Sequence, residues 1–146
     1  MVEVKDDFYQ SIRRKINDFI KTDEGKKYKF AEFLLLAPDL FHLLCRLTFD
    51  DEVSVADKAK LAIAIAYFIS PVDLIPDALL PVGYIDDVAI SAYVLNSIIN
   101  NTSPDIVEKY WTGEKNILEI VKSILKTVDE MIGSGIWQKI KSMFEK

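Results

Sequence analysis

Apolar residues recur with a helical period along most of this chain. Phe8, Ile12, Ile16, Phe19 and Ile20 follow one another at steps of four, four, three and one, which predicts a helix over 6–21. Arg13, Arg14 and Lys15 fall mostly off that face. A basic amphipathic helix can lie on an anionic membrane, although docking on a protein core with a solvated outer face is commoner. Asp23 is placed to cap a second helix carrying Tyr28, Phe30, Phe33 and Leu34 to Leu36. Pro38 should interrupt it, because proline lacks an amide hydrogen and disfavours helical geometry in the residue before it. Helix resumes over about Leu40 to Phe49, with Phe41, Leu44 and Leu47 on its apolar side.

Asp50-Asp51-Glu52 reads as a turn, and Ser54-x-x-Asp57 has the form of a capping box opening a helix over 55–69. From Leu61 to Ile69 that helix is apolar on every side, so it is expected to be the buried central strut. Another helix is expected over 87–100, with Val88, Ala92, Leu95 and Ile99 inward. Ser103-Pro104-Asp105 starts a short helix ending at Gly113. Ile117, Leu118, Val121, Ile124, Leu125, Val128 and Ile132 then form a continuous stripe, broken at Gly133 and Gly135. Ile136, Trp137, Ile140, Met143 and Phe144 give a last helix. The fold class is therefore all-α: one compact multi-helix domain over 1–146, built around a buried helical pair (about 55–69 and 87–100).

The connection between those two helices is the only stretch that breaks the pattern: S-P-V-D-L-I-P-D-A-L-L-P-V-G-Y-I-D-D, residues 70–87. Ser70, Pro71 and Asp73 have the form of a helix start. Pro76 limits that helix to about one turn, Pro81 blocks any long continuation, and Gly83 can supply a reversal. Asp86 is expected to cap the next helix, with Ile85 and Ile90 as a hydrophobic staple and Asp87 in the first turn facing the positive end of the dipole. Asp77 has no such structural task. The alternative is a hard-cation site, since carboxylate oxygens suit Mg²⁺ or Ca²⁺ and four clustered charges need relief. Asp73, Asp77, Asp86 and Asp87 are its candidate metal ligands. Failing a cation, relief would have to come from Arg46 or Lys58.

Charge sharpens the picture. The net charge of −5 is concentrated in residues 50–108, which hold 10 acidic and 2 basic groups, for −8. That field repels phosphates, so nucleic acid is not an expected partner of the segment. A single cysteine, Cys45, sits in an apolar run and suits a buried thiol in a reducing, cytoplasmic setting. The lone His42 has no second ligand at zinc spacing. No G-x-S-x-G, P-loop, H-E-x-x-H or EF-hand pattern is present, so no catalytic residue is assigned and no cofactor beyond Mg²⁺ or Ca²⁺ is expected. The N-terminus shows no secretory signal. The longest nearly apolar run, Leu61 to Val72, has 12 residues, short of the ~20 needed to span a bilayer.

The P-x-D-L-I-P-D core followed by P-x-G-x-x-D-D resembles the YkvA-like domain, and the resemblance covers about Leu34 to Ile99. Asp73, Leu74, Ile75, Pro76, Asp77, Pro81, Gly83, Asp86 and Asp87 match that family's pattern. The resemblance implies a small, mostly bacterial helical domain of uncharacterised molecular function, often described as membrane-associated, which for this chain would mean the inner face of a membrane. It carries over no catalytic residues. The expected function is a non-enzymatic interaction or scaffold module with a protein partner. The alternatives are a divalent-cation binding protein and a protein held peripherally at an anionic membrane.

Overall fold

A computed structural model describes residues 2–23, 30–69, 80–113 and 115–144. The elements among them are all helical: α1 (Val2–Ile20), α2 (Ala31–Leu34), α3 (Ala37–Thr48), α4 (Val55–Ile69), α5 (Leu80–Asn101), α6 (Pro104–Tyr110), α7 (Ile117–Ile132) and α8 (Ser134–Phe144). The expected all-α class is what the chain adopts. Asp23's capping role falls on 24–29, outside the described residues.

Helix starts follow local chemistry where a hydroxyl or amide side chain precedes the first turn. Ser54 Oγ accepts from the Asp57 amide at 3.1 Å, opening α4 where the capping box places it. Ser103 Oγ accepts from Asp105 N at 3.1 Å with Pro104 in the first position of α6. Asn116 Oδ1 takes two amides, Leu118 N at 2.9 Å and Glu119 N at 3.3 Å, to open α7. Gly133 ends α7 with φ of +87°, a conformation that side-chain-bearing residues avoid.

Three boundaries differ from the sequence expectation. Pro38 does not break a helix but lies in the first turn of α3, which begins at Ala37. Its missing amide would have had no partner there. Likewise α5 begins at Leu80, seven residues early, with Pro81 second and Gly83 inside the helix. At the other end of α6 the helix stops at Tyr110 rather than Gly113, because Trp111 turns extended. Its indole Nε1 donates to the Lys115 carbonyl at 2.8 Å. A Cβ on Gly113 would overlap that ring, so the loop needs glycine for close approach.

The central strut is α5, not α4. It packs against α1, α2, α3, α4, α6 and α7, and it buries Val88, Ala89, Ile90, Ser91, Ala92, Val94, Leu95 and Ile98. The buried side of α3 (Leu40, Phe41, Leu43, Leu44, Cys45 and Leu47) joins the same core. Ile12 and Ile16 dock α1 onto it, which occupies the apolar face that a membrane-lying helix would need. Tyr93 ties α5 to α8 by an edge-on contact with Trp137 at 5.8 Å and a tilted one with Phe144 at 5.3 Å. His42 is half-buried and Cys45 is buried.

Contrary to expectation, α4 is not buried all round. Asp57, Leu61 and Ala64 face inward, whereas Ala56, Ala59, Ala62 and Ala66 are exposed. Val55 is 85% exposed and Ile63 36%. No helix among the described residues is long and apolar enough to cross a membrane.

Candidate functional site

Asp73 and Asp77 lie outside the described residues, so half of the proposed aspartate cluster has no geometry to report. Asp86 and Asp87 are placed, and not as predicted. They sit in the second turn of α5, seventh and eighth from its start, so Asp86 is not an N-cap and the Ile85–Ile90 staple has no helix start to close. Continuous helix through Gly83 removes the reversal that the capping reading required.

Asp86 is half-buried and Asp87 only 7% exposed. Burial pushes the Asp86 carboxyl above its ordinary value. Burial pushes Asp87 well above it, and the adjacent Asp86 charge adds to the rise. Neither expected source of relief serves this pair. Arg46 is exposed with its guanidinium 5.8 Å from the centre of the Tyr110 ring, and the Lys58 charge instead helps lower Asp50. Among the described residues no three His, Cys, Asp or Glu side chains come together in a way that could hold a metal ion.

Two other carboxylates are organised in ways the sequence did not signal. Asp57, fully buried, accepts from Ser97 Oγ at 2.8 Å and from Asn101 Nδ2 at 3.5 Å. Lys60 Nζ lies 3.9 Å from Asp57 and donates to Ser97 Oγ at 3.0 Å. Asn101 also donates to Ser97 Oγ at 3.2 Å. The start of α4 is thereby bonded to the end of α5, so the two helices run antiparallel. The capping box is half-formed: Ser54 accepts as it should, while Asp57 turns its carboxylate to α5. No local pattern announces a partner forty residues away.

Asp50 holds the turn between α3 and α4. Its carboxylate accepts from Glu52 N at 2.8 Å and from the Tyr110 hydroxyl at 2.6 Å, with Lys109 Nζ at 4.0 Å. The Tyr110 and Glu52 hydrogen bonds hold its carboxyl below the ordinary value, outweighing burial, with Lys109 and Lys58 adding to the effect. The same bond raises the Tyr110 phenol. These groups are mutually satisfied and clamp α6 onto the turn, which is a structural arrangement rather than a reactive one.

A further exposed apolar surface among the described residues is the outer side of α4. At ~3.6 residues per turn, Val55, Ala56, Ala59, Ala62, Ile63 and Ala66 occupy roughly a third of the helix circumference over about 17 Å. All six are exposed and none is charged. Contiguous exposed apolar surface is one signature of a docking site.

Comparison with known proteins agrees with the motif. Residues 57–93 match the model of a family described as a protein of unknown function (DUF1232). The chain is 26% identical over 98 residues to a protein of Methanothermobacter thermautotrophicus called "Uncharacterized protein ORF9", covering 66% of this chain and 67% of that one. No solved structure matches at a significant level. Residues 57–93, running from the buried Asp57 to Tyr93 in α5, are therefore similar to the DUF1232 family, of which the YkvA-like domain is a member.

Proposed function

We propose that the chain is a non-enzymatic interaction module that docks a partner helix on the outer face of α4. The observation that carries this reading is the charge-free strip from Val55 to Ala66 on a helix whose opposite side is locked into the core. Four of its six side chains are alanine, and small residues let a second helix approach closely. Alanine adds little apolar area for insertion into lipid, so the strip suits a helix better than a bilayer. Contact of α1 with an anionic membrane would have to rest on exposed Arg13, Arg14 and Lys15, because Ile12 and Ile16 are packed inward.

A photo-crosslinking amino acid at position 62, compared with one at exposed Lys122 on α7, tests the reading in cells that make the protein. A discrete adduct at 62 that disappears with Ile63→Glu is the expected result. Adducts no more frequent at 62 than at 122 would remove it.

The raised carboxyls of Asp86 and Asp87 support a second reading, a divalent-cation site completed by Asp73 and Asp77. A bound cation would relieve both burial and mutual repulsion. Millimolar Mg²⁺ or Ca²⁺ should then raise the melting temperature by mass action, and Asp77→Asn should abolish the rise. An unchanged melting curve with either ion rejects it.

A further inference from the structure

The surface between α1 and the start of α3 is separate from the α4 strip and has different chemistry. Arg13, Ile16 and Asn17 of α1 face Leu35, Pro38 and Asp39 across a cleft of about 130 Å³. A groove of about 370 Å³ along α1 adjoins it, sharing Arg13 and Asn17. We propose that cleft and groove together bind an acidic peptide segment anchored by one aliphatic side chain.

The cleft supplies the anchor. Ile16 is 1% exposed and Pro38 is buried, so its floor is apolar, and Leu35, 45% exposed, forms a wall. A cavity of about 150 Å³ holds a benzene molecule, so this one suits a single branched aliphatic side chain. Arg13 and Asn17, four positions apart, stand side by side on α1 at the rim. The Asn17 amide can both donate to and accept from a peptide backbone, and the half-buried Asp39 carboxylate can accept a peptide N–H. Arg13 and Asp39 also engage other groups, but a guanidinium with several N–H donors and a carboxylate with several lone pairs can serve more than one partner.

The groove supplies the charge preference. Residues 10–21 hold four basic groups (Arg13, Arg14, Lys15 and Lys21) and one acidic group (Asp18), for +3 in a chain of net −5. Arg14 and Lys21 both line the groove and are exposed. They lie seven positions apart, or ~10 Å along the helix axis, which is about three residues of extended peptide. Two carboxylates at that spacing, next to an aliphatic residue, would match both cations while the cleft is filled. A bilayer fits less well, since it needs apolar side chains that protrude, whereas Ile16 and Pro38 are recessed. Single-stranded nucleic acid stacks its bases on aromatic rings, and no aromatic residue lines either cavity.

Fluorescence anisotropy of the full chain with a fluorescein-labelled peptide, a central leucine flanked on each side by two glutamates, reads the binding. The expected result is saturable binding with a dissociation constant on the order of 100 µM, in keeping with a small contact surface. Replacing the peptide's leucine by glycine, or its glutamates by lysines, should weaken binding at least ~10-fold. The double variant Arg14→Glu/Lys21→Glu should do the same and should remove most of the salt dependence. Leu35→Ser should weaken binding ~3-fold or more and leave the salt dependence intact. All three positions are exposed, so the wild-type melting temperature is expected, and Leu35→Ser suffices if the charge-reversed protein folds poorly. Equal binding of the glycine or lysine peptide, wild-type affinity in these variants, or no binding at millimolar protein overturns the proposal. Binding of phosphatidylserine vesicles without the peptide, or self-association in its place, would give the surface to a lipid or a second copy and would overturn it equally.

Discussion

Helices α4 and α5 are the two most apolar stretches of the chain, and they meet opposite fates. From Val88 to Ile98, α5 is enclosed by six other helices and leaves only Tyr93, Asn96 and Ser97 partly exposed. By contrast, α4 packs chiefly on α3 and α5 and leaves a third of its surface outside. Apolar composition sets what a helix gains on burial, but the number of neighbours sets how much of that gain is realised. On the unburied side of α4 four of the six strip residues are alanine, which limits the exposed apolar area. In α5 the larger Val, Leu and Ile side chains sit where neighbours surround them.

The difference can be broken most directly with paired truncations. Leu95→Ala in α5 should cost about 2–5 kcal/mol in denaturant unfolding, because it opens a cavity where Leu95 is fully buried. Ile63→Ala in α4 should stay within about 0.5 kcal/mol, as exposed substitutions do. Equal losses at the two sites would mean that α4 is covered after all.

A second test addresses the bond between the helices. Asp57→Ala removes the acceptor of Ser97 and Asn101 and leaves part-buried Lys60 without its carboxylate, so it should destabilise by about 1–3 kcal/mol. Ser97→Ala should cost less, since Asp57 keeps Lys60. If both variants melt with the wild type, the network contributes nothing to the pairing.

The smallest expected effects are in pH. The Asp87 carboxyl is raised in the folded state, so its contribution to stability is present below pH ~4 and is lost as pH rises through its folded value. Asp50 is lowered and acts in the opposite sense: its contribution is present above pH ~4 and is lost as acid drives pH down through its folded value. Asp87→Asn should therefore raise the melting temperature at neutral pH, and Asp50→Asn should lower it and flatten the acid limb. A fall in melting temperature with Asp87→Asn at neutral pH would show that a bound cation, or some other partner, needs the charge.

Much of this architecture is legible in the residues themselves. Ser54 marks the start of α4, Ser103-Pro104 that of α6, and Gly133 the end of α7, because each acts through bonds or torsions within a few positions. The proline-bearing starts were harder to read. Pro38 and Pro81 read as interruptions, yet proline is as compatible with a first helical turn as with a break, and the distinction lies in the flanking backbone. Pro81 and Gly83 together suggested a turn before Asp86, which made that residue look like a cap. Nor can periodicity decide which of two apolar helices lies at the centre, since both satisfy the pattern and only the docking of α1, α2, α6 and α7 selects α5. The Asp57–Ser97 bond was invisible for a related reason: Asp57 already had a local explanation as the third arm of a capping box.

That bond has a topological consequence. It joins residues forty positions apart, and Asp57 is also the first residue of the family segment 57–93, which ends four residues before Ser97. The family segment is therefore contained in a loop fastened at its base without a covalent link. Closing a flexible forty-residue loop costs on the order of 3 kcal/mol in chain entropy beyond a constant term. Pairing of α4 and α5 through Asp57 and Ser97 meets that cost.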